Sequence, residues 1–163
     1  MKTARKIDEI DLKILKILQE NARLPNVEIA RQLHMAPSGV LSRIRRLEER
    51  GVIEAYETRV NAASVGLSLV AFLFITTDEP VGETGVAQEI AKIPEVQEVH
   101  TIAGQDCYLV KISAANPQEL STVLRNRFGA FKSIRSTRTT IVLNTFKETT
   151  KLPLSDQKRK KVK

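Results

Sequence analysis

Residues 36–53 place hydroxyl and guanidinium groups at helical spacing on one polar face of a short amphipathic segment. At 100° per residue, Val40, Leu41, Ile44 and Leu47 fall on one side of a helix. The opposite side carries Ser38, Ser42, Arg45 and Arg46, with Gly39, Arg43 and Arg50 at its flank. Small residues at a helix start allow close approach to base edges, and arginines behind them reach bases or phosphates. The pattern predicts a helix that enters the major groove of double-stranded DNA; a surface helix with a solvated basic face is the alternative.

Two further amphipathic segments precede this helix and would position it. Residues 8–21 have apolar side chains at helical spacing, and Asp8 and Asp11 suit the positive end of a helix dipole. Residues 26–34 form a second, shorter pattern of the same kind, and Pro37 suits the first position of the third helix. Three helices, the last two joined by a tight turn, predict a helix-turn-helix.

Residues 52–60, which follow Gly51 at the predicted end of the third helix, alternate in the manner of a β-strand. A strand at this place would form a wing beside the helices. We therefore expect residues 1–60 to form a winged helix-turn-helix domain that binds DNA.

The positive charge of the 163-residue chain is concentrated at its two ends. The net charge of +7 divides into +3 over residues 1–59, −1 over residues 60–150 and +5 over residues 151–163. The basic N-terminal segment suits binding to DNA phosphates. The nearly neutral central segment implies a different function. The tail, residues 155–163, is expected to be disordered and to supply either nonspecific attraction to phosphates or solubility alone.

Several kinds of site are not indicated by the sequence. One cysteine, Cys107, excludes an internal disulfide framework and fits a reducing cytosol. Two distant histidines do not predict a metal site, and there is no phosphate-binding glycine loop or hydrolase motif. There is also no signal peptide and no apolar run long enough to cross a bilayer. We expect a cytoplasmic protein without a metal, a cofactor or a membrane partner.

The second half of the chain alternates between strand and helix patterns after the small residues of 61–66, which we expect to be a linker. Strands are predicted over 67–77, 95–103, 107–114 and 133–144, and helices over 83–93 and 117–128. The order βαββαβ is that of the ferredoxin-like arrangement, in which both helices cover one face of a sheet. The predicted fold class is α+β: a winged helix-turn-helix followed by a ferredoxin-like domain over residues 67–154.

The first predicted strand is apolar on both of its faces. Leu69, Ala71, Leu73 and Ile75 point one way, and Val70, Phe72 and Phe74 point the other. The helices cover one face only, so the second set would stay in water. At ~25 cal/mol per Å² of apolar surface, this exposure forgoes several kcal/mol of stabilising free energy. A second copy of the same sheet is the simplest cover, so we expect a homodimer with Val70, Phe72 and Phe74 at its interface.

Short motifs are spread over nearly the whole chain: Ile7-Asp8, Asp11, Asn21-Ala-Arg23, Glu28-Ile-Ala30, Arg43 to Ile53, Val65-Gly-Leu67, Pro94-Glu-Val96, Gly104, Tyr108-Leu-Val-Lys111, Thr137-Arg-Thr139, Lys147 and Leu152-Pro-Leu154. In combination they make the chain similar to the Lrp/AsnC family of leucine-responsive, or feast/famine, regulators. The resemblance implies a prokaryotic, nucleoid-associated transcription regulator whose C-terminal domain mediates assembly and binds a small effector, usually an amino acid. It also implies dimers that associate further into octamers, with the effector between dimers.

The turn that the resemblance assigns to the effector departs from the family pattern. The family has Gly, two residues, Asp and Tyr, whereas residues 104–108 read Gly-Gln-Asp-Cys-Tyr. The carboxylate therefore comes one position early, which on a strand turns it to the opposite face. Either Asp106 reaches the effector from the turn or the effector is not a simple amino acid. The effector-site candidates are Gly104, Gln105, Asp106, Thr137 and Thr139; the threonines are equally well explained as strand formers.

Two other functions compete with a ligand-responsive regulator. An architectural DNA-binding protein without an effector would also use several dimers and a basic tail. An enzyme would need a convergent acid, base or nucleophile, for which His100, Asp106 and Cys107 are the local candidates, and nothing nearby supplies an anion cradle. We predict a sequence-specific regulator and not an enzyme.

Overall fold

Three helices form the N-terminal part of the computed structural model, which describes residues 7–80 and 82–154. They are α1 (Glu9–Glu20), α2 (Asn26–Leu33) and α3 (Pro37–Glu49). Asp8 caps α1, because its carboxylate accepts the N–H of Asp11 at 2.8 Å while Asp11 accepts the N–H of Asp8 at 3.3 Å. His34 turns the chain between α2 and α3 with a φ of 52°. The predicted helix-turn-helix is confirmed.

The apolar sides of the three helices meet in one core. Ile14 of α1, Ile29 of α2, and Val40 and Leu47 of α3 are fully buried. Helical spacing assigns these positions to the inner side, so their burial leaves the opposite side of α3 in solvent. The chain leaves α3 at Gly51, whose φ of 63° is left-handed and suits a residue without a Cβ.

The wing strand expected over residues 52–60 is not formed, and that prediction was wrong. All four strands in the described part of the chain belong to one sheet that begins at Leu69. A β-strand forms only where its N–H and C=O groups bond a neighbouring strand, and the helical part offers none among residues 7–58. Instead the Tyr56 hydroxyl donates to Glu48 at 2.8 Å; burial and this carboxylate raise the pKa of Tyr56 to about 12.

The second half is a four-stranded antiparallel sheet with strand order β2-β3-β1-β4. Its elements are β1 (Leu69–Thr77), α4 (Gly85–Ile90), β2 (Val96–Thr101), β3 (Tyr108–Ala114), α5 (Pro117–Val123), a π-helical turn (Leu124–Phe128) and β4 (Ile134–Ile141). Ala71, Leu73 and Ile75 of β1 are fully buried in the core that also contains Ile90 and Leu120 of the helices. The predicted α+β class and the βαββαβ order are confirmed.

The chain divides into two compact units whose limits differ from the predicted domain boundaries. One unit comprises residues 59–148, and the described residues 149–154 belong with the helices in the other unit. The side-chain amide of Gln19 explains this grouping, since it exchanges hydrogen bonds of 2.6 and 3.2 Å with the backbone of Leu152. The end of the predicted second domain is therefore attached to α1.

The segment predicted as a linker, residues 61–66, contains a 3₁₀ turn, Ala62–Val65. The Asn61 side chain accepts the N–H of Ser64 at 3.2 Å, which caps this turn. The predicted basic tail, residues 155–163, lies outside the described residues.

Candidate functional site

The outward side of α3 carries the polar groups that the sequence assigns to DNA contact. Ser38, Ser42 and Arg45 are exposed, and Gly39 between them is half-buried. The helix starts at Pro37 without a side-chain cap. A shallow depression on this surface is lined by Ser38, Leu41, Ser42, Arg45, Arg46 and Glu49. Hydroxyls at the start of the helix and guanidinium groups further along form an accessible surface rich in hydrogen-bond donors.

Arg43 and Arg46 of α3 converge on one carboxylate of α1. Arg43 Nη1 donates to Asp11 Oδ1 and to Asp8 Oδ2, each at 2.7 Å. Arg46 Nη2 lies 3.1 Å from both carboxylate oxygens of Asp11. The Asp11 side chain is 0% exposed, whereas those of Arg43 and Arg46 are 23% and 31% exposed. These two predicted DNA-binding residues therefore hold α3 against α1, and their contact with DNA stays a prediction.

The ion pair between Asp8 and Arg43 persists at neutral pH. Burial alone raises the pKa of Asp8, but the hydrogen bonds from Arg43 and from the N–H of Asp11 outweigh it, so the pKa lies below its usual value. The bonds to Asp8 and Asp11 in turn raise the pKa of Arg43. Asp8 and Arg43 are both charged under physiological conditions.

Sequence reasoning placed Asp11 at the start of α1 but missed its contact with α3. A signal was present, because Asp11 precedes Ile14 by three residues and Leu18 by seven and so lies on the same buried stripe. A carboxylate on an apolar stripe must pair with a cation or become neutral. Arg43 and Arg46 are the cations that meet it.

The predicted effector turn lies on the sheet face that is not covered by the helices. Asp106 is bound by Arg138 Nη2 at 3.0 Å and by Thr76 Oγ1 at 3.4 Å. Thr76 has the same strand parity as Phe72 and Phe74, and the side chains of all three point away from the helices. Gly104 and Gln105 are exposed beside them. The carboxylate of the turn is thus already engaged by a cation in the single chain.

Thr137 and Thr139 lie on the other face of the sheet. In the antiparallel register Thr137 pairs with Ile75 and Thr139 pairs with Leu73, and directly opposed residues share a face. Ile75 and Leu73 face the helices, but β4 is an edge strand, so both threonines remain exposed. One chain therefore does not bring these threonines together with Asp106.

The face of the sheet opposite the helices is partly apolar and partly charged. Val70, Phe72 and Phe74, the predicted interface residues, are each half-buried. The Arg138 guanidinium lies 4.0 Å from the centre of the Phe74 ring, a cation–π distance. Lys111 on the neighbouring strand binds Glu98 at 3.2 Å and also Glu148. These charged groups surround an apolar strip along β1.

The groups considered for enzymatic chemistry have separate partners. His100 Nε2 lies 3.2 Å from Glu98, and Cys107 Sγ accepts the N–H of Thr77 at 3.5 Å, whereas Asp106 binds Arg138. Within residues 7–80 and 82–154, no group of three or more metal-ligating side chains of the His, Cys, Asp and Glu types occurs. No helix in this part of the chain has the length and apolar character needed to span a membrane.

Comparisons with known proteins match both units. Residues 7–54 match the winged helix-turn-helix DNA-binding family, and residues 70–152 match the Lrp/AsnC ligand binding domain. Among curated relatives, the HTH-type transcriptional regulator FL11 of Pyrococcus horikoshii is 38% identical over 149 residues, which cover 91% of this chain and 97% of the relative. The similarity therefore extends through both units.

Solved structures agree with this assignment. The complex of the transcriptional regulator NMB0573 from Neisseria meningitidis with L-methionine has a TM-score of 0.85 and 30% identity, covering 91% of this chain and 97% of that one. The feast or famine regulatory protein Rv3291c from M. tuberculosis, complexed with L-methionine, has a TM-score of 0.83 and 33% identity, covering 90% and 99%. This chain therefore belongs to the Lrp/AsnC family of DNA-binding transcriptional regulators.

Proposed function

We propose that this regulator recognises specific DNA sequences by placing the outward side of α3 in the major groove. The observation that carries the proposal is the exposure of Ser38, Ser42 and Arg45 along a helix whose other side is buried. The two hydroxyls can bond base edges, and the guanidinium can bond guanine or phosphate. Gly39 adds no side chain at the point of closest approach. Arg43 and Arg46 support this surface from its flank through Asp11.

A salt series on DNA tests this proposal. The probe is a duplex selected from a randomised library by the wild-type protein. Arg45→Ala should weaken binding and lower the slope of log affinity against log salt by about 1, since one phosphate or base contact is lost. Lys92→Ala removes an exposed cation from the other unit and should change neither quantity. Unchanged affinity and slope in Arg45→Ala would remove this surface from the interface.

The second unit is proposed to form a homodimer, which assembles further into an octamer or another multiple of dimers. Val70, Phe72 and Phe74 supply an apolar strip, and the segment after β4 exposes 97% of Leu143 and 94% of Phe146. A second copy related by a two-fold axis would bury these groups against their own equivalents. A dimer presents two α3 helices, so the target should be roughly palindromic with half-sites ~34 Å apart.

The same unit is proposed to bind a small effector, an amino acid. Its match to a ligand binding domain and the L-methionine complexes of NMB0573 and Rv3291c support this proposal. The candidates remain Gly104, Gln105 and Asp106 in the turn, with Thr137 and Thr139 on β4. Because one chain holds the turn and the threonines on opposite faces, a site that uses both groups draws them from different copies.

Thermal-shift measurements against the twenty amino acids, run beside light scattering, test the sensor role. L-Methionine is the first probe, and an effector between dimers should raise the unfolding temperature and change the assembly size. If no amino acid alters assembly size, unfolding temperature or DNA affinity, the proposed sensor role is refuted.

An architectural DNA-binding protein without an effector is the second candidate. One observation favours it: residues 120–147 contain six Lys or Arg residues and no Asp or Glu, so the second unit also has a basic segment. Basic segments attract DNA without sequence preference. Equal affinity of the wild-type protein for selected and random duplexes would support this role and contradict sequence-specific regulation.

A further inference from the structure

Asp11 is a buried anion at the junction of α1 and α3, and a helix-turn-helix core does not require one. Its side chain is 0% exposed, and Arg43 and Arg46 reach it from the helix that carries the proposed DNA surface. Replacement of such buried ion pairs by apolar residues of similar volume is often neutral or stabilising in proteins. Ile14, Val40 and Leu47 already join the two helices by apolar contact. Apolar contact could therefore hold the two helices together without a buried carboxylate.

The ion pairs to Asp11 define the orientation of α3 relative to α1. Apolar surfaces tolerate small rotations and shifts, whereas hydrogen bonds between guanidinium and carboxylate groups have defined geometry. Arg46 Nη2 bonds both oxygens of Asp11 at 3.1 Å, and Arg43 Nη1 bonds one of them at 2.7 Å. Arg46 Nε, in contrast, is buried without a hydrogen-bond partner among the described residues. The Arg46 side chain is thus directed to the carboxylate although one of its own donors stays unsatisfied.

The two arginines alternate along α3 with the residues of the proposed DNA surface. Ser42 directly precedes Arg43, and Arg45 directly precedes Arg46. Successive residues of a helix differ by 100°, so a rotation of α3 that displaces Arg43 and Arg46 turns Ser42 and Arg45 by the same angle. We propose that Asp11 is a positioning residue for DNA recognition, which fixes the rotation of α3 through Arg43 and Arg46. This inference rests on the proposed DNA surface of α3.

Asp11→Asn tests the proposal, because it keeps the side-chain shape and removes the charge. The readout is the ratio of affinities for the library-selected duplex and a random duplex of equal length. We expect this ratio to fall about tenfold or more, which is the size of one lost base contact. Binding of the random duplex should gain a steeper salt dependence, by about 1 to 2 in slope, since Arg43 and Arg46 become free to reach phosphates.

The exposed Glu9 provides a matched control, because Glu9→Gln on the same helix changes the net charge equally. This variant should keep the wild-type affinity ratio. Asp11→Asn with a wild-type ratio would overturn the proposal. So would a parallel loss of affinity for both duplexes with an unchanged salt slope, since that is the signature of a purely structural role.

A second variant covers the case in which Asp11→Asn does not fold. Arg46→Lys keeps the charge but loses the planar guanidinium. This variant should lower the affinity ratio, as Asp11→Asn should. A wild-type ratio would overturn the proposal. A wild-type protein that does not discriminate between the two duplexes refutes the proposed recognition itself. Failure of the proposed function is therefore distinguishable from failure of the positioning role.

Discussion

Both carboxylate oxygens of Asp11 lie 3.1 Å from one guanidinium nitrogen of Arg46, a residue 35 positions later in the chain. Arg43 approaches the same carboxylate at 2.7 Å. A fully buried anion on the first helix is thus neutralised by the helix that presents the proposed DNA surface. The contact couples the stability of the helical unit to the orientation of that surface.

The double variant Arg43→Ala/Arg46→Ala should strongly destabilise the helical unit. It leaves Asp11 buried without a cation, and breaking a buried pair in this way costs about 3–5 kcal/mol. Amide hydrogen exchange in α1 and α3 measures the loss locally. The exposed Arg45 offers the control, because Arg45→Ala should change protection by less than about 0.5 kcal/mol. Equal protection in the double variant and the Arg45→Ala control would show that the buried carboxylate does not need these cations.

The sequence predicted the helices well because their determinants are local. The spans expected for α1 and α2 are within one or two residues of those observed, since apolar spacing and capping residues act over a few positions. The contact of Arg43 and Arg46 with Asp11 is tertiary. A helical projection places both side chains outside the apolar side of α3. It does not show that both reach Asp11 on α1.

The strands show the same difference between local and long-range information. A short run of strand-forming residues correctly predicted β1, whose neighbours β3 and β4 satisfy its backbone on both sides. Residues 52–60 were predicted as a strand from their alternation, but no strand lies beside them among the described residues of the helical unit and they form none. The separation of Asp106 from Thr137 and Thr139 depends on the register of β4, which the hydrophobic pattern specifies weakly because seven of the eight residues of this edge strand are exposed.

Lys111 stabilises two carboxylates on the open face of the sheet. Burial alone raises the pKa of Glu98, but the hydrogen bonds from His100 and Lys111 outweigh it and the pKa is lowered. For Glu148 the hydrogen bond from Lys111 is the main cause of a lowered pKa. A carboxylate whose folded pKa is lowered stabilises the fold above its unfolded pKa, and this contribution disappears as the pH falls through the folded pKa.

Lys111→Gln should therefore lower stability at neutral pH and have little effect in acid. The difference in free energy of unfolding between wild type and variant should narrow as the pH falls below 4.5, the ordinary pKa of these carboxyl groups. Because Glu98 and Glu148 are 46% and 51% exposed, screening limits the gap to about 1 kcal/mol or less. Denaturation at a series of pH values measures it, with Lys92→Gln as control. A gap that is constant down to strongly acid pH would contradict this account.

Phe72→Asp should dissociate the proposed homodimer. Phe72 lies opposite Lys111 and Thr140 in the centre of the open face, and a charge there would be buried against its own equivalent across a two-fold axis. A loss of about 2 kcal/mol, typical of an interface hot spot, weakens the dimer about thirtyfold. Sedimentation at several concentrations measures the change, and Gln118→Asp on the exposed surface of α5 should have no effect. A folded wild-type monomer in dilute solution would refute the dimer.

The Asp106 carboxylate is the group in the predicted turn that can accept an effector ammonium. Arg138 already binds it at 3.0 Å, but the Arg138 side chain is 62% exposed, so an effector ammonium would compete with it for the carboxylate. Asp106→Asn should weaken L-methionine binding about tenfold or more, since a hydrogen bond between charged groups is lost. Arg138→Ala should strengthen binding, because the ammonium no longer competes with a guanidinium.

Calorimetric titration of L-methionine into the assembled protein measures both effects. Asp78→Asn provides a control, since Asp78 is also a partly exposed carboxylate beside an arginine, here Arg135 at 3.9 Å. If Asp106→Asn binds L-methionine as well as the wild type does, the turn does not hold the ammonium group. If Arg138→Ala weakens binding instead, Arg138 contacts the effector itself, and a guanidinium in that role would bind the carboxylate of the amino acid.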